Sequence, residues 1–476
     1  MKTILTALAG CALGCLVQAP AGRAQTETVL YSFCSLEHPE CLDGEYPTAG
    51  LINVKGLLYG TTMSGGPHGY GEVFSLDLDT NLQAIVYPFC SQSQKKHGRL
   101  CTDGANPQAG VIDVDGTLYG TTYIGGGGKT LSGTVFAVNT KTGDETLLYS
   151  FSDKDRDYKY GGLPDAGVIN LNGALYGTTP DGGGRHGDGS VFSLDLKKDV
   201  ETVLYAFSAR KKRGIFPEAG LIDVNGMLYG TTSEGGKYNN GGTVFSIDPT
   251  TGIETVLHSF KGTPSDGAGP FASLTDVNGT LYGTTEYGGA YGYGTVFSLE
   301  PTSGAVTVLY SFQGYPSDAG QPVAGVIEVN GMLYGTTEYG GSYDDSGDCS
   351  SHGIVLGCGT VFSLDPNSGA ETILYSFCAQ QFCADGAYPR AAPLSVNGTL
   401  YGTTEYGGTY GGGTVFPLSP ERELYAGLVT PGASEVLQTG LWSQVLRLTR
   451  LPGMTMSGGF RTQPSRGTTA SARLRH

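Results

Sequence analysis

The pentapeptide Leu-Tyr-Gly-Thr-Thr occurs seven times, with its tyrosine at Tyr59, Tyr119, Tyr176, Tyr229, Tyr282, Tyr334 and Tyr401, at intervals of 60, 57, 53, 53, 52 and 67 residues. A motif returning at this period makes each copy one supersecondary unit, too small to bury its apolar face alone and stable only against its neighbours. The copy from Glu201 to Thr251 contains four apolar segments, at 201–207, 221–224, 227–232 and 242–248. Each is short and rich in β-branched and aromatic residues with partial alternation, which predicts strands. Asn225-Gly226 joins the second segment to the third, a two-residue link that predicts a type I′ hairpin. The same slot holds Lys55-Gly56, Asp115-Gly116, Asn172-Gly173, Asn278-Gly279, Asn330-Gly331 and Asn397-Gly398. Asp248-Pro249-Thr250-Thr251-Gly252 is a second turn, leading into the next copy.

Four short strands per unit and seven units predict an all-β chain folded as a seven-bladed β-propeller. The order of segments also predicts how the ring shuts. The chain opens on a lone copy of the first segment at 27–33, and its last full segment is Gly413-Thr-Val-Phe416. The N-terminal strand is therefore expected to complete the last blade and cover two sheet edges at once. An open β-solenoid is the competing architecture, but its coils are usually shorter and lack these hairpins. The 78 glycines show no Gly-X-Y period and suit tight turns.

Taken together, Ala-Gly-Leu-Ile-Asp-Val-Asn-Gly-Met-Leu-Tyr-Gly-Thr-Thr-x-x-Gly-Gly and the following Gly-Thr-Val-Phe-Ser-Ile-Asp-Pro-Thr-Thr-Gly resemble the GloVer tandem repeat. That repeat belongs to exported bacterial proteins and is named for Gloeobacter and Verrucomicrobia. The resemblance covers about residues 27–416 and implies fold and export rather than an activity. More loosely, the pattern is similar to the kelch propeller repeat, from which it departs because no Trp follows the Asp-Pro turn.

Export is also read from the residues. Met1-Lys2, an apolar run over 3–17 and small residues up to Ala24 form a secretory signal pattern, too short to span a membrane. This gives a signal at 1–24, a propeller at 25–420 and a tail at 421–476. A rival reading takes Leu8-Ala9-Gly10-Cys11 as a lipoprotein signal. The tail carries seven Arg and three Glu in Ser/Thr/Gly-rich sequence, for which disorder is expected. The rest is more acidic than the total charge of −16, which argues against a nucleic-acid partner. Apart from Cys11 and Cys15, eight cysteines fall into close pairs, Cys34/Cys41, Cys90/Cys101, Cys349/Cys358 and Cys378/Cys383. In an exported chain these read as disulfides. Zinc is the alternative, but Cys-x2-Cys spacing and clustered His are missing.

Because strands in a blade alternate direction, the Asn-Gly and Asp-Pro turns lie on one face. The Thr-Thr-x-x-Gly-Gly loops and the loops after Leu-Tyr-Ser-Phe lie on the other. The second set varies in length and holds all the paired cysteines, so it is the expected binding face. There, Glu286-Tyr287, Glu338-Tyr339 and Glu405-Tyr406 repeat before Gly-Gly, with Tyr291, Tyr293, Tyr343 and Tyr410 nearby. Tyrosine offers a flat apolar face and a hydroxyl, and Glu accepts from sugar hydroxyls, so a polysaccharide or an extracellular protein is the expected partner. The competing reading packs these tyrosines between blades. Catalysis by two of the glutamates would need unlike environments, which three equivalent positions do not suggest. A glycan-active hydrolase or lyase and a structural surface array are the alternatives to a binding module. Asp153, Asp155 and Asp157 have calcium-loop spacing, but Tyr158 stands where glycine is wanted and no acidic residue closes the loop. No cofactor is expected, and a monomer is the default.

Overall fold

The computed structural model describes residues 28–420 except 37, 39, 93–100, 128–130, 152–160, 185–186, 199, 210–212, 239, 343–348 and 352–353. The expected signal at 1–24 and the tail at 421–476 lie outside the described residues. Seven four-stranded antiparallel sheets form the blades of a ring. Blade 1 comprises Ile52–Val54, Leu57–Thr62, Glu72–Asp77 and Gln83–Pro88, in that order from the axis outward. Blades 2 to 6 repeat the plan. Blade 7 takes Leu394–Val396, Thr399–Thr404 and Thr414–Leu418 from the end of the array and Tyr31–Ser32 as its outermost strand. The sequence unit and the blade are thus offset by one strand, which is what closes the ring.

Each residue of the recurring motif has a physical task. The glycine of Leu-Tyr-Gly-Thr-Thr lies under the third-strand phenylalanine of its own blade. A Cβ on Gly60 would stand 2.7 Å from Phe74, and one on Gly230 2.6 Å from Phe245. The first threonine donates to an alanine carbonyl of the next blade. These bonds run Thr61 to Ala109, Thr121 to Ala166, Thr178 to Ala219, Thr231 to Ala272, Thr284 to Ala324 and Thr336 to Ala391. The seventh, Thr403 to Ala49 at 3.0 Å, joins blade 7 to blade 1.

The second threonine pairs with a third-strand hydroxyl inside its blade, as in Thr122–Thr134 at 2.7 Å and Thr404–Thr414 at 2.8 Å. Blade 1 breaks that rule. Glu72 takes the third-strand place, leaving Thr62 Oγ1 unpartnered, and accepts from Gln83 Nε2 at 2.9 Å. Burial and the charge of Asp43 push the Glu72 carboxyl up to about 8.

Between blades, the phenylalanine after each outer strand meets the third-strand phenylalanine of the next edge to face. Phe89–Phe136 and Phe377–Phe416 have centroids 4.9 and 5.1 Å apart, and Phe33–Phe74, across the closing seam, 5.0 Å. Buried aromatic pairs of this kind add about 0.5–1.5 kcal/mol each beyond their area. The inner hairpins are the expected type I′ turns: Asn225 and Gly226 have φ of 54° and 85°, and the equivalent pairs are alike. All four cysteine pairs are disulfides. They suit an oxidising extracellular setting. No helix among the described residues is long and apolar enough to cross a membrane.

Candidate functional site: the channel mouth on the long-loop face

Every inner strand is entered through Pro-x-Ala, whose alanine carbonyl is the one held by the neighbouring threonine. With both flanks fixed, the residue x is the variable position at the strand start, and in blades 1, 4, 5, 6 and 7 it lines the axial channel. It is Thr48, Gln108, Asp165, Glu218, Phe271, Val323 and Arg390 in blades 1 to 7, different in every blade. These starts line an axial channel of about 410 Å³. The residue before each proline has positive φ: Tyr46 58°, Asn106 53°, Leu163 53°, Phe216 57°, Gly269 65°, Gln321 55° and Tyr388 56°. For bulky side chains this conformation is strained, and such strain persists only where the surroundings impose it.

The surroundings are hydrogen bonds on both sides. Tyr388 N–H donates to the Cys358 carbonyl of blade 6 at 2.9 Å, and its own carbonyl accepts from Glu405 N–H at 3.1 Å. Gln321 holds Glu338 in the same way at 3.2 Å, and Gly269 holds Glu286 at 2.9 Å. This clamp therefore fixes the backbone of the three glutamates found by sequence.

Arg390 brings two of them together. Its Nη2 lies 3.1 and 3.2 Å from the Glu338 carboxylate oxygens, and its Nη1 3.3 Å from Glu405 Oε2. Glu338 and Glu405 are buried, whereas Glu286 is partly exposed and has no ion pair with Arg390. Their environments thus differ, against the sequence expectation that three equivalent glutamates look alike. The asymmetry comes from the one blade whose Pro-x-Ala residue is cationic. Burial pushes the Glu286 and Glu405 carboxyls above the usual range. Across the mouth, burial and then the charges of Glu218 and Asp181 push Asp165 up to about 7.

The tyrosines form an arc. Tyr46 and Tyr406 have ring centroids 5.0 Å apart, Tyr388 and Tyr406 5.8 Å, and Tyr339 and Tyr388 5.5 Å. Tyr287 and Tyr406 are 46% and 41% exposed, although Tyr406 also packs on Tyr46 of the neighbouring blade. Tyr291 and Tyr410 are exposed, and the Tyr293 ring lies against Gly314. Beside the arc is an open cleft of about 410 Å³, lined by Cys349, Phe382, Cys383, Tyr388 and Tyr406 among others. Phe382 is 76% exposed, displayed by a left-handed backbone within the short Cys378–Cys383 loop. Tyr343, Asp153, Asp155 and Asp157 lie outside the described residues.

The profile of the Gloeobacter/Verrucomicrobia repeat matches residues 22–241 and 159–349, together more than half of the chain. The chain belongs to the Gloeobacter/Verrucomicrobia repeat family. The match supports the GloVer resemblance and adds nothing for the kelch one. No curated protein matches this repeat protein significantly.

Among solved structures, the likenesses are weak. A putative 6-phosphogluconolactonase from Bacteroides uniformis has 16% identity, coverage of 73% of this chain and 88% of its own, and a TM-score of 0.44. An oligogalacturonate lyase from Vibrio parahaemolyticus has 8% identity, 80% and 90% coverage, and a TM-score of 0.43. The extracellular domain of a putative hybrid two-component system from B. thetaiotaomicron has 10% identity and a TM-score of 0.48, covering 82% of this chain and 39% of that one. At these values they say nothing about what the repeat protein binds.

Sequence reasoning reached the glutamates and their tyrosines but missed Arg390, Tyr46, Tyr388, Phe382, Asp165 and Glu218. A signal for most of them was present. Aligning the seven copies on Pro-x-Ala shows both neighbours of the proline changing from blade to blade while the rest of the motif holds.

Proposed function

We propose that this exported repeat protein is a binding module that takes an extracellular carbohydrate chain at the channel mouth of its long-loop face. The observation that carries the reading is the tyrosine arc Tyr46–Tyr406–Tyr388–Tyr339, continued by Tyr287, with carboxylates set beside it. Sugar rings bind through flat apolar faces and through hydroxyls around their edges. Tyrosine serves both, and Glu286, partly exposed, accepts from hydroxyls. Arg390 is tied to Glu338 and Glu405 and so acts as a positioner of carboxylates rather than a free cation. A protein partner would use the same exposed aromatic surface.

The test is a glycan array and a hydrolysis screen on one purified sample, with Tyr287→Ala, Tyr339→Ala and Tyr406→Ala variants. The reading expects glycan binding that the variants lose while circular dichroism and melting temperature stay near wild type. Variants that unfold would return the tyrosines to a packing role, and silence in both screens would leave a structural surface array.

A second reading, glycan cleavage, is favoured by one observation. Burial raises the Glu286 carboxyl and it has no ion pair with Arg390, while Glu338 is held by that guanidinium, and unlike environments are what an acid and a base require. Product formation that Glu286→Gln abolishes would establish it.

A further inference from the structure

Three of the four disulfides are the same device. Cys34, Cys90 and Cys378 each follow the outer-strand phenylalanine, and their partners Cys41, Cys101 and Cys383 each stand two residues before a buried aspartate, Asp43, Asp103 or Asp385. Cys349–Cys358 is different. It belongs to the loop between the second and third strands of blade 6, inside the longest repeat interval, 67 residues. Cys349 and Cys358 lie against the next staple, so the sulfurs of Cys349, Cys358, Cys378 and Cys383 all lie within 4.8 Å of one another, and all four residues are buried. Cys349 Sγ is 3.6 Å from Cys378 Sγ across the two pairs.

We propose that these four cysteines are a tetrathiolate metal site, taking one Zn²⁺ once an external thiol or phosphine reductant has opened both disulfides. A phosphine gives each disulfide two electrons and leaves as the phosphine oxide, its oxygen and the two protons coming from water. Two external thiols instead supply both electrons and protons and leave as a disulfide. Each protein disulfide becomes two thiols, and Zn²⁺ then displaces the four thiol protons. Zinc–sulfur bonds of about 2.3 Å put the sulfurs of a tetrahedral site about 3.8 Å apart. The contact between the pairs is already close to that spacing, so the main adjustment is separation within each former disulfide.

The backbone is held independently of the S–S bonds. Phe377 N–H donates to Gly359, Cys378 N–H to Gly386, Gly386 N–H to Cys383 and Tyr388 N–H to Cys358, at 2.8–3.3 Å. Cys349 and Cys383 line the open cleft, which supplies an entry path. The other staples lack such a set. Among the described residues, Cys34 and Cys41 gather only Glu45 as a third ligand, and Cys90 and Cys101 gather none.

The test uses the full chain, reduced with a phosphine under inert gas and given one equivalent of Co²⁺ as a visible probe. The proposal expects one bound Co²⁺ with the intense red-region bands of tetrahedral thiolate ligation, bleached by Zn²⁺. It also expects Cys349, Cys358, Cys378 and Cys383 to resist alkylation with Zn²⁺ present, while Cys34, Cys41, Cys90 and Cys101 react. Cys349→Ser should abolish the bands, and Cys90→Ser should keep them. Missing bands, uniform alkylation, including that of a chain that has lost its fold, or bands that survive Cys349→Ser would each overturn it.

Discussion

The seams between blades and the mouth of the channel are built from the same repeat and treat it in opposite ways. In the seams, the aromatic pairs keep centroid distances of 4.9–5.2 Å all the way round, the closing pair Phe33–Phe74 included. The threonine-to-alanine bonds stay within 2.8–3.1 Å. At the mouth, a few ångströms from those same alanines, the residue after proline is different in all seven blades. A ring closes only if every seam turns by nearly the same angle, so seam residues have no freedom to vary. The residue after proline carries no such duty. Repetition therefore marks the fold, and its failure marks the positions that the fold leaves free to vary.

The comparison breaks most visibly if a seam residue can be removed cheaply. Phe74→Ala should cost about 3–5 kcal/mol, since it empties a fully buried ring from two blades at once, and a denaturant melt would read it. Tyr287→Ala at the mouth should leave the same melt almost unmoved.

The next effect is acidity. Glu72 and Glu371 are pushed up to about 8, and Glu145, Glu201 and Asp165 to about 7, burial being the first cause in each. A carboxyl raised in the folded state costs nothing below its unfolded value and destabilises progressively as pH rises toward its folded value. The melting temperature should therefore climb as pH falls from about 8 toward about 5, and Glu72→Gln should flatten that slope. A protein most stable at alkaline pH would contradict the burial of these groups.

Smaller still, Arg390→Ala should cost about 1–3 kcal/mol, because Glu338 and Glu405 lose their charged partner. Arg390→Lys should recover only part of it, since one ammonium lacks the fork that reaches both carboxylates. Last, Thr61→Val should cost about 1 kcal/mol through one lost hydrogen bond, the ring otherwise standing.

How much was legible follows from the same contrast. Strands, type I′ turns and the closing strand were readable because the segments they need recur along the chain, and cysteine pairing because the members of each pair stand close in sequence. The meaning of Thr-Thr was not, since one hydroxyl reaches into the next blade and the other across its own sheet, partners no linear pattern names. Arg390 was missed because a single cation in one copy looks like noise until the ring sets it between Glu338 and Glu405. Glu72 was missed for a related reason. It replaces a hydroxyl that matters only through Thr62, and Gln83 compensates for it from the neighbouring strand.

The claim on which the site depends is that the N-terminal strand seals the ring, because Tyr46 and Tyr406 meet only across that seam. Phe33 N–H donates to Gly413 at 3.0 Å, the same bond that Phe89 makes to Gly71 and Phe377 to Gly359. Amide hydrogen exchange read by residue on the folded protein tests this directly. A sealed ring predicts that Leu30 and Phe33 exchange as slowly as Phe89 and Phe377. Exchange at Leu30 and Phe33 as fast as in a frayed terminus, with Phe89 and Phe377 still protected, would contradict it.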